Sequence, residues 1–325
     1  MSASRRSASP EVLARIARLG LRANQAVQGS LSGMHKSPHR GQSVEFADYR
    51  EYAPGDDLRR LDWRVYARTG RHVVKEYEEE TNLRASFLLD ASASMRYGEG
   101  GEEEERYSKL DYACVAISAL STLLVQQRDA AGLVVFDENP REWLRPSTSR
   151  VQLAHLMERL AQTEATRETD LATVLRQAAE ELPSRGVVVL VSDLFCDQEE
   201  LFAGLGRLRH RGHELIVLQV VDRDELDLPF EGLVEFRGLE GADRLEVEPR
   251  SFREAYRAAV EKFCTDAESR CADLGADYLR LVTDEDPGAA LAFWLSRRTR
   301  LLGRASGRGG RAGRAAALRA GGGDA

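Results

Sequence analysis

The feature that most constrains this chain is a set of short, almost unbroken apolar runs beginning at Arg84. RASFLLD (84–90), AGLVVFD (131–137), GVVVLVS (186–192) and ELIVLQVV (214–221) are each too short for a buried helix and suit a strand. A strand open to water on one face alternates apolar with polar. A strand that is apolar throughout must be covered on both faces, as in a parallel sheet flanked by helices. DYLRLV (277–282) reads as a fifth such strand. Between the runs, apolar residues recur at helical spacing. Leu110 to Val125 is the strongest case, with Leu110, Ala113, Cys114, Ile117, Leu120 and Leu124 on one face. Further helices are expected from Ser149 to Leu160, from Thr169 or Asp170 to Leu182, over Gln198–Arg211 and Phe252–Leu274, and from Gly288 to Leu302. Glu142 to Arg145 reads as a hairpin partner of the second strand, and Phe230–Leu239 with Arg244–Val247 as a small antiparallel insertion. Strands alternating with helices predict an α/β fold with a doubly wound, mostly parallel sheet over residues 84–302. Ligands on such sheets sit at the carboxyl ends of the strands.

Residues 1–83 are organised differently. Pro10 to Gly29 is expected to be helical, with Ser9 as its cap. A polar stretch to Ser43 follows, and then a segment dense in charge and aromatics, with a turn at Pro54-Gly55-Asp56-Asp57 and a weak edge strand at Val73–Tyr77. Its apolar runs are too few for a core of its own, so it is expected to be an appendage on the sheet domain. From Gly303 onward the chain holds eight Gly, five Arg and no aromatic residue, a composition expected to be disordered.

Composition narrows the function classes. Lys and Arg number 46 against 53 Asp and Glu, a net charge of −7, so the general basic footprint of a nucleic-acid binder is absent. Arg59, Arg60, Arg64, Arg68, Arg71 and Lys75 are locally basic around Trp63 and Tyr66, but acidic residues follow at once. The expectation there is Arg–carboxylate pairing rather than nucleic acid. No apolar run approaches the ~20 residues of a membrane span, and the N-terminus has no apolar signal region. The four cysteines are widely spaced without CxxC, which suits reduced thiols and a cytoplasmic location. Neither GxSxG nor GxxxxGK[ST] occurs.

The residues that carry chemistry lie at strand ends. Phe87-Leu88-Leu89 runs directly into Asp90, Ser92 and Ser94, one carboxylate and two hydroxyls at alternate positions. Hard oxygen ligands of this kind suit Mg²⁺. Thr169 precedes a helix and Asp193 closes the run VVVLVSD, so in a parallel sheet all three loops share one edge and the five residues fall within reach of one cation. Each has a plainer reading. Asp90 would cap a strand-end turn, Thr169 would cap the following helix, and Asp193 would cap the Gln198 helix, for which Asp197 is the better candidate.

This pattern of DxSxS, a later Thr and a later Asp resembles the metal-ion-dependent adhesion site of von Willebrand factor A domains. The upstream string EFADYREYAPGDDLRRLDWRVYARTG, followed by KEYEEE and LLDASASM, is similar to the bacterial family known as domain of unknown function 58, over about Gly41 to Leu302. The resemblance implies that Asp90, Ser92 and Ser94 are metal ligands, direct or through water. Thr169 would be the third hydroxyl, with Thr166 taking its place in another loop register, and Asp193 would act through water. The implied cofactor is a divalent cation, Mg²⁺ first, with Mn²⁺ or Ca²⁺ as alternatives. The implied function is a non-enzymatic, metal-dependent protein-binding adaptor whose partner offers a Glu or Asp to the metal. The implied partner is a MoxR-type AAA+ ATPase. Many family members carry two N-terminal membrane helices. None occurs in this sequence, so no anchor is implied. Two other functions are weighed beside it. A Mg²⁺-dependent phosphohydrolase would want a second Asp where Ser92 stands. An RNA-associated protein would use Arg59–Lys75 and the tail.

Overall fold

The computed structural model describes residues 45–53, 61–78, 83–99, 106–166, 169–183, 185–239 and 244–296. The expected helix over Pro10–Gly29, the turn at Pro54–Asp57, Arg59, Arg60 and the tail from Gly303 lie outside the described residues. Those that are described fall into two compact units.

The smaller unit contains strand β1 (Glu45–Glu51), helix α1 (Trp63–Thr69) and strand β2 (Val73–Glu78). β1 and β2 pair antiparallel from Glu45 opposite Glu78 to Glu51 opposite Val73, with an irregularity between Phe46 and Asp48. The Asp62 side chain caps α1 by accepting from the amides of Arg64 and Val65, at 2.9 and 3.2 Å. Gly70 closes it with φ 69°, a conformation that costs glycine little. Neither β1 nor α1 is foreseen from sequence, because their residues show no sustained period.

The larger unit is the expected doubly wound sheet. Its strands are β3 (Arg84–Asp90), β4 (Ala130–Phe136), β5 (Pro140–Ser147), β6 (Val187–Ser192), β7 (Glu214–Val221) and β10 (Asp277–Val282), arranged β10-β7-β6-β3-β4-β5. All neighbours are parallel except β5, which returns antiparallel beside β4. The helices are α2 (Lys109–Gln126), α3 (Arg150–Gln162), α4 (Leu171–Glu181), α5 (Gln198–His210), the short α6 (Arg223–Asp227), α7 (Arg253–Asp273) and a last helix over 287–296. The small strands β8 (Val234–Arg237) and β9 (Arg244–Val247) form the expected antiparallel insertion.

Successive residues of a strand face opposite sides, so each apolar strand feeds two cores. Phe87, Leu89, Leu133, Val135, Val189 and Val191 pack with Ala113, Ile117, Leu156, Leu160 and Leu291 on one face. Leu88, Val134, Val188, Leu190 and Val217 pack with Val174, Leu175, Leu201, Leu205 and Leu208 on the other. Truncating a fully buried leucine such as Leu88 removes about 2–5 kcal/mol, so these runs are what fixes the sheet. The four cysteines are free, and Cys264 and Cys271 are buried in packing as expected. Among the described residues, no helix is long and apolar enough to cross a membrane.

Candidate functional site

The strand order reverses between β3 and β6. The first connection from β3 leads to β4 on one side, and β6 pairs on the other. A crevice forms where neighbouring strands send their chains in opposite directions, and the residues after both carboxyl ends meet there. Asp90 is the last residue of β3 and Ser192 the last of β6, and the Ser192 hydroxyl donates to Asp90 Oδ2 at 2.6 Å. Asp90 Oδ1 accepts from the Ser92 amide at 2.9 Å, so the turn-capping reading of Asp90 is also satisfied. Asp90 is 1% exposed. Burial first, and then the Asp193 carboxylate, push its pKa up to about 7, against the lowering effect of the Ser192 and Ser92 hydrogen bonds.

After β3 the chain makes a 3-10 turn, Ala93–Arg96, anchored by the buried Met95. The turn brings the Ser92 and Ser94 hydroxyls within 3.0 Å of each other. After β6, Asp193 is equally buried. Its Oδ1 accepts from the Phe195 amide at 3.1 Å, and its Oδ2 accepts from Lys109 Nζ at 2.7 Å. Leu194 holds φ 65°, a left-handed conformation that costs a branched residue on the order of 1–3 kcal/mol. The surroundings impose it. The Leu194 side chain is wholly buried, its amide donates to Ser192 Oγ at 3.0 Å, and Gln219 Nε2 donates to the Asp193 carbonyl at 3.2 Å. Asp197, not Asp193, caps α5.

The third loop reaches the same edge. The Thr166 amide donates to the Ala91 carbonyl at 3.3 Å, and the Asp170 amide to the Asp137 carbonyl, just past β4, at 3.2 Å. Asp170 is the cap of α4, accepting from the Thr173 amide at 2.9 Å, so Thr169 is not spent on capping. Thr169 Oγ1 is buried and has no hydrogen-bond partner among the described residues. The Thr166 hydroxyl is engaged by Arg141, which leaves Thr169 as the free hydroxyl of this loop.

A charged network continues from the site and was missed in the sequence. Lys109, the first residue of α2 and wholly buried, bridges Asp193 to Glu225 Oε1, both at 2.7 Å. Burial alone would push its pKa down, but contact with Asp193 and Glu225 outweighs that and raises it. Burial raises the Glu225 pKa, opposed by Lys109. Beyond Glu225, Asp222 accepts from Thr283 Oγ1 at 2.7 Å and pairs with Arg106, which also contacts Asp224 at 2.6 Å. The signal that could have exposed Lys109 is its position. A cation in the first turn of a helix opposes the helix dipole, so local acids are needed to hold it there.

Asp90, Ser92, Ser94, Thr169 and Asp193 offer only oxygen, and one of those oxygens is a buried hydroxyl without a partner among the described residues. Four carboxylates, from Asp193, Asp222, Asp224 and Glu225, share two cations, Lys109 and Arg106. A donor set made only of carboxylate and hydroxyl oxygens fits a hard divalent cation. Among the described residues no group of three or more His, Cys, Asp or Glu side chains is placed to hold a metal, so the fit depends on the hydroxyls.

An uncharacterized protein of Mycobacterium tuberculosis is 28% identical over 297 residues, covering 90% of this chain and 91% of the relative, and a Mycobacterium bovis protein matches to the same degree. Similar solved structures include BatB from Bacteroides thetaiotaomicron (TM-score 0.43, 16% identity, 66% of this chain and 98% of that one). They also include an aerotolerance-related membrane protein from Bacteroides fragilis (TM-score 0.43, 19% identity, 67% and 99%). A third is the VWA domain of SpRpn10 (TM-score 0.34, 11% identity, 66% and 93%). The family model described as protein of unknown function DUF58 matches residues 48–265, and the chain with the switch-point site described above belongs to that family.

Proposed function

We propose that this protein is a divalent-cation-dependent protein-binding adaptor, with Asp90, Ser92, Ser94, Thr169 and Asp193 holding the cation. The observation that carries the reading is the buried, partnerless Thr169 hydroxyl at the edge where two buried carboxylates close adjacent strands. A divalent ion bound there would supply a coordination position for a carboxylate from another molecule, a charge-assisted and directional contact. The protein side of that contact is preformed. Ser192 fixes the Asp90 carboxylate, the Phe195 amide and Lys109 fix Asp193, and the turn after β3 holds Ser92 beside Ser94. The partner is a protein presenting Glu or Asp, and the family resemblance suggests a MoxR-type AAA+ ATPase.

The test is titration calorimetry of Mg²⁺ and of Mn²⁺ into wild type and Asp90→Ala, followed by capture of the ATPase with and without a chelator. Binding in wild type and not in the variant, with capture abolished by chelator, is the expected result. Equal binding by both proteins overturns the site. Phosphatase turnover that vanishes in Asp90→Ala would instead favour the phosphohydrolase, which at present lacks a second acid at position 92.

A further inference from the structure

A lysine wholly removed from solvent is expensive unless its charge is matched, and Lys109 is matched on the very carboxylate assigned to the metal. Its ammonium lies 2.7 Å from Asp193 Oδ2 and 2.7 Å from Glu225 Oε1, and 5.0 Å from the centre of the Phe195 ring. The Asp90 carboxylate ends β3 and Asp193 directly follows the neighbouring β6, so two wholly buried acids stand at the same edge of the sheet. A buried carboxylate left charged without a cation works against folding. A tethered ammonium meets that need permanently, because it cannot dissociate.

We propose that Lys109 is an internal counter-charge for the metal site, keeping it assembled without a divalent ion and weakening the ion's hold, while Glu225 moderates that effect. The inference rests on the metal reading above and concerns the regulation of the same site. A fixed positive charge on a ligand carboxylate opposes a doubly charged ion over a few ångströms of low-dielectric protein. Glu225 is bonded to the same ammonium and offsets part of its field. The signs for three substitutions follow. Removing the Lys109 charge tightens the metal, removing the Glu225 charge loosens it, and exchanging lysine for arginine changes affinity little. A lysine with only a structural role would give a different pattern, in which Lys109→Met and Glu225→Gln both weaken the site.

The experiment is Mg²⁺ calorimetry on the full chain, with the Mg²⁺-induced rise in unfolding temperature as a second readout, for wild type, Lys109→Met, Lys109→Arg and Glu225→Gln, each with and without Asp90→Ala. The expected result is Mg²⁺ affinity about tenfold or more tighter in Lys109→Met and several-fold weaker in Glu225→Gln. Both effects should vanish with Asp90→Ala. A Lys109→Met protein that folds only when Mg²⁺ is added also supports the proposal. Should that variant fail to fold in either condition, Lys109→Gln, which removes the charge but keeps a hydrogen-bond donor, decides, and affinity there no tighter than wild type overturns the proposal. Lys109→Met binding no tighter than wild type, while wild-type binding still requires Asp90, overturns the counter-charge and leaves the metal site standing. Absence of Asp90-dependent binding in every protein removes the metal reading itself and the counter-charge with it.

Discussion

The Ser192 hydroxyl lies 2.6 Å from Asp90 Oδ2 and 3.0 Å from the Leu194 amide, so one side chain ties together the ends of the two central strands. Ser192→Ala removes a donor from a buried carboxylate and an acceptor from a buried amide. The expected loss is about 1–3 kcal/mol in a urea titration. Ser192→Thr keeps the hydroxyl and is expected to recover most of it. Equal losses in the two variants would show that the hydroxyl is not what matters.

His213 contributes a pH dependence of its own. It is 2% exposed, and burial, with the Arg211 charge behind it, pushes its pKa below the usual 6.5. The unfolded chain therefore binds this proton at a higher pH than the folded protein does. Stability from this residue is complete above about pH 6.5 and is lost as the pH falls below it. The unfolding temperature of wild type is expected to drop between pH 7.5 and pH 5.5 by more than that of His213→Met. Parallel curves for the two proteins would exclude His213 as the source.

Two glycines make opposite predictions. A Cβ on Gly132 of β4 would sit 2.6 Å from the Leu144 carbonyl oxygen and 2.7 Å from the Pro146 nitrogen, both backbone atoms of β5. Gly132→Ala is expected to cost about 1–3 kcal/mol, because one strand must move away from the other. A Cβ on Gly206 within α5 meets nothing within 4 Å. Gly206→Ala is expected to stabilise by up to about 1 kcal/mol, through helix propensity alone. Denaturation midpoints of the two variants on either side of wild type are the outcome to look for.

Arg106→Met strips the cation from Asp222, whose side chain is wholly buried, and from Asp224. Arg106 is itself 30% exposed, so solvent screens part of the interaction, and the expected cost is about 1–3 kcal/mol. A stability unchanged within error would mean that Thr283 and the Asp224 amide suffice to hold Asp222.

Legibility from sequence followed burial. β3, β4, β6 and β7 were readable because strands covered on both faces must be apolar along their length, and their burial patterns show this. β1 and α1 carry mixed charge and aromatics without a period, so nothing local marked them. α6 spans five residues, too short for periodicity to register. Within the site, Asp90, Ser92 and Asp193 were visible because each stands where an apolar run stops. Asp222 stops the run of β7 in the same way and obeys the same rule. The choice between Thr169 and Asp170 as cap needed coordinates, since both types cap helices well. Lys109 was hidden by residue type, because a lysine beside an apolar helix is normally taken as a solvated end.

The antiparallel return of β5 has a consequence for association. It occupies one end of the sheet, where an unpaired strand normally invites pairing by another chain. Pro140 and Pro146 lack an amide hydrogen, and Arg141, Glu142 and Arg145 place charge along the same strand. This margin is poorly suited to recruiting a stray β-segment, which guards the crowded molecule against sheet-driven aggregation.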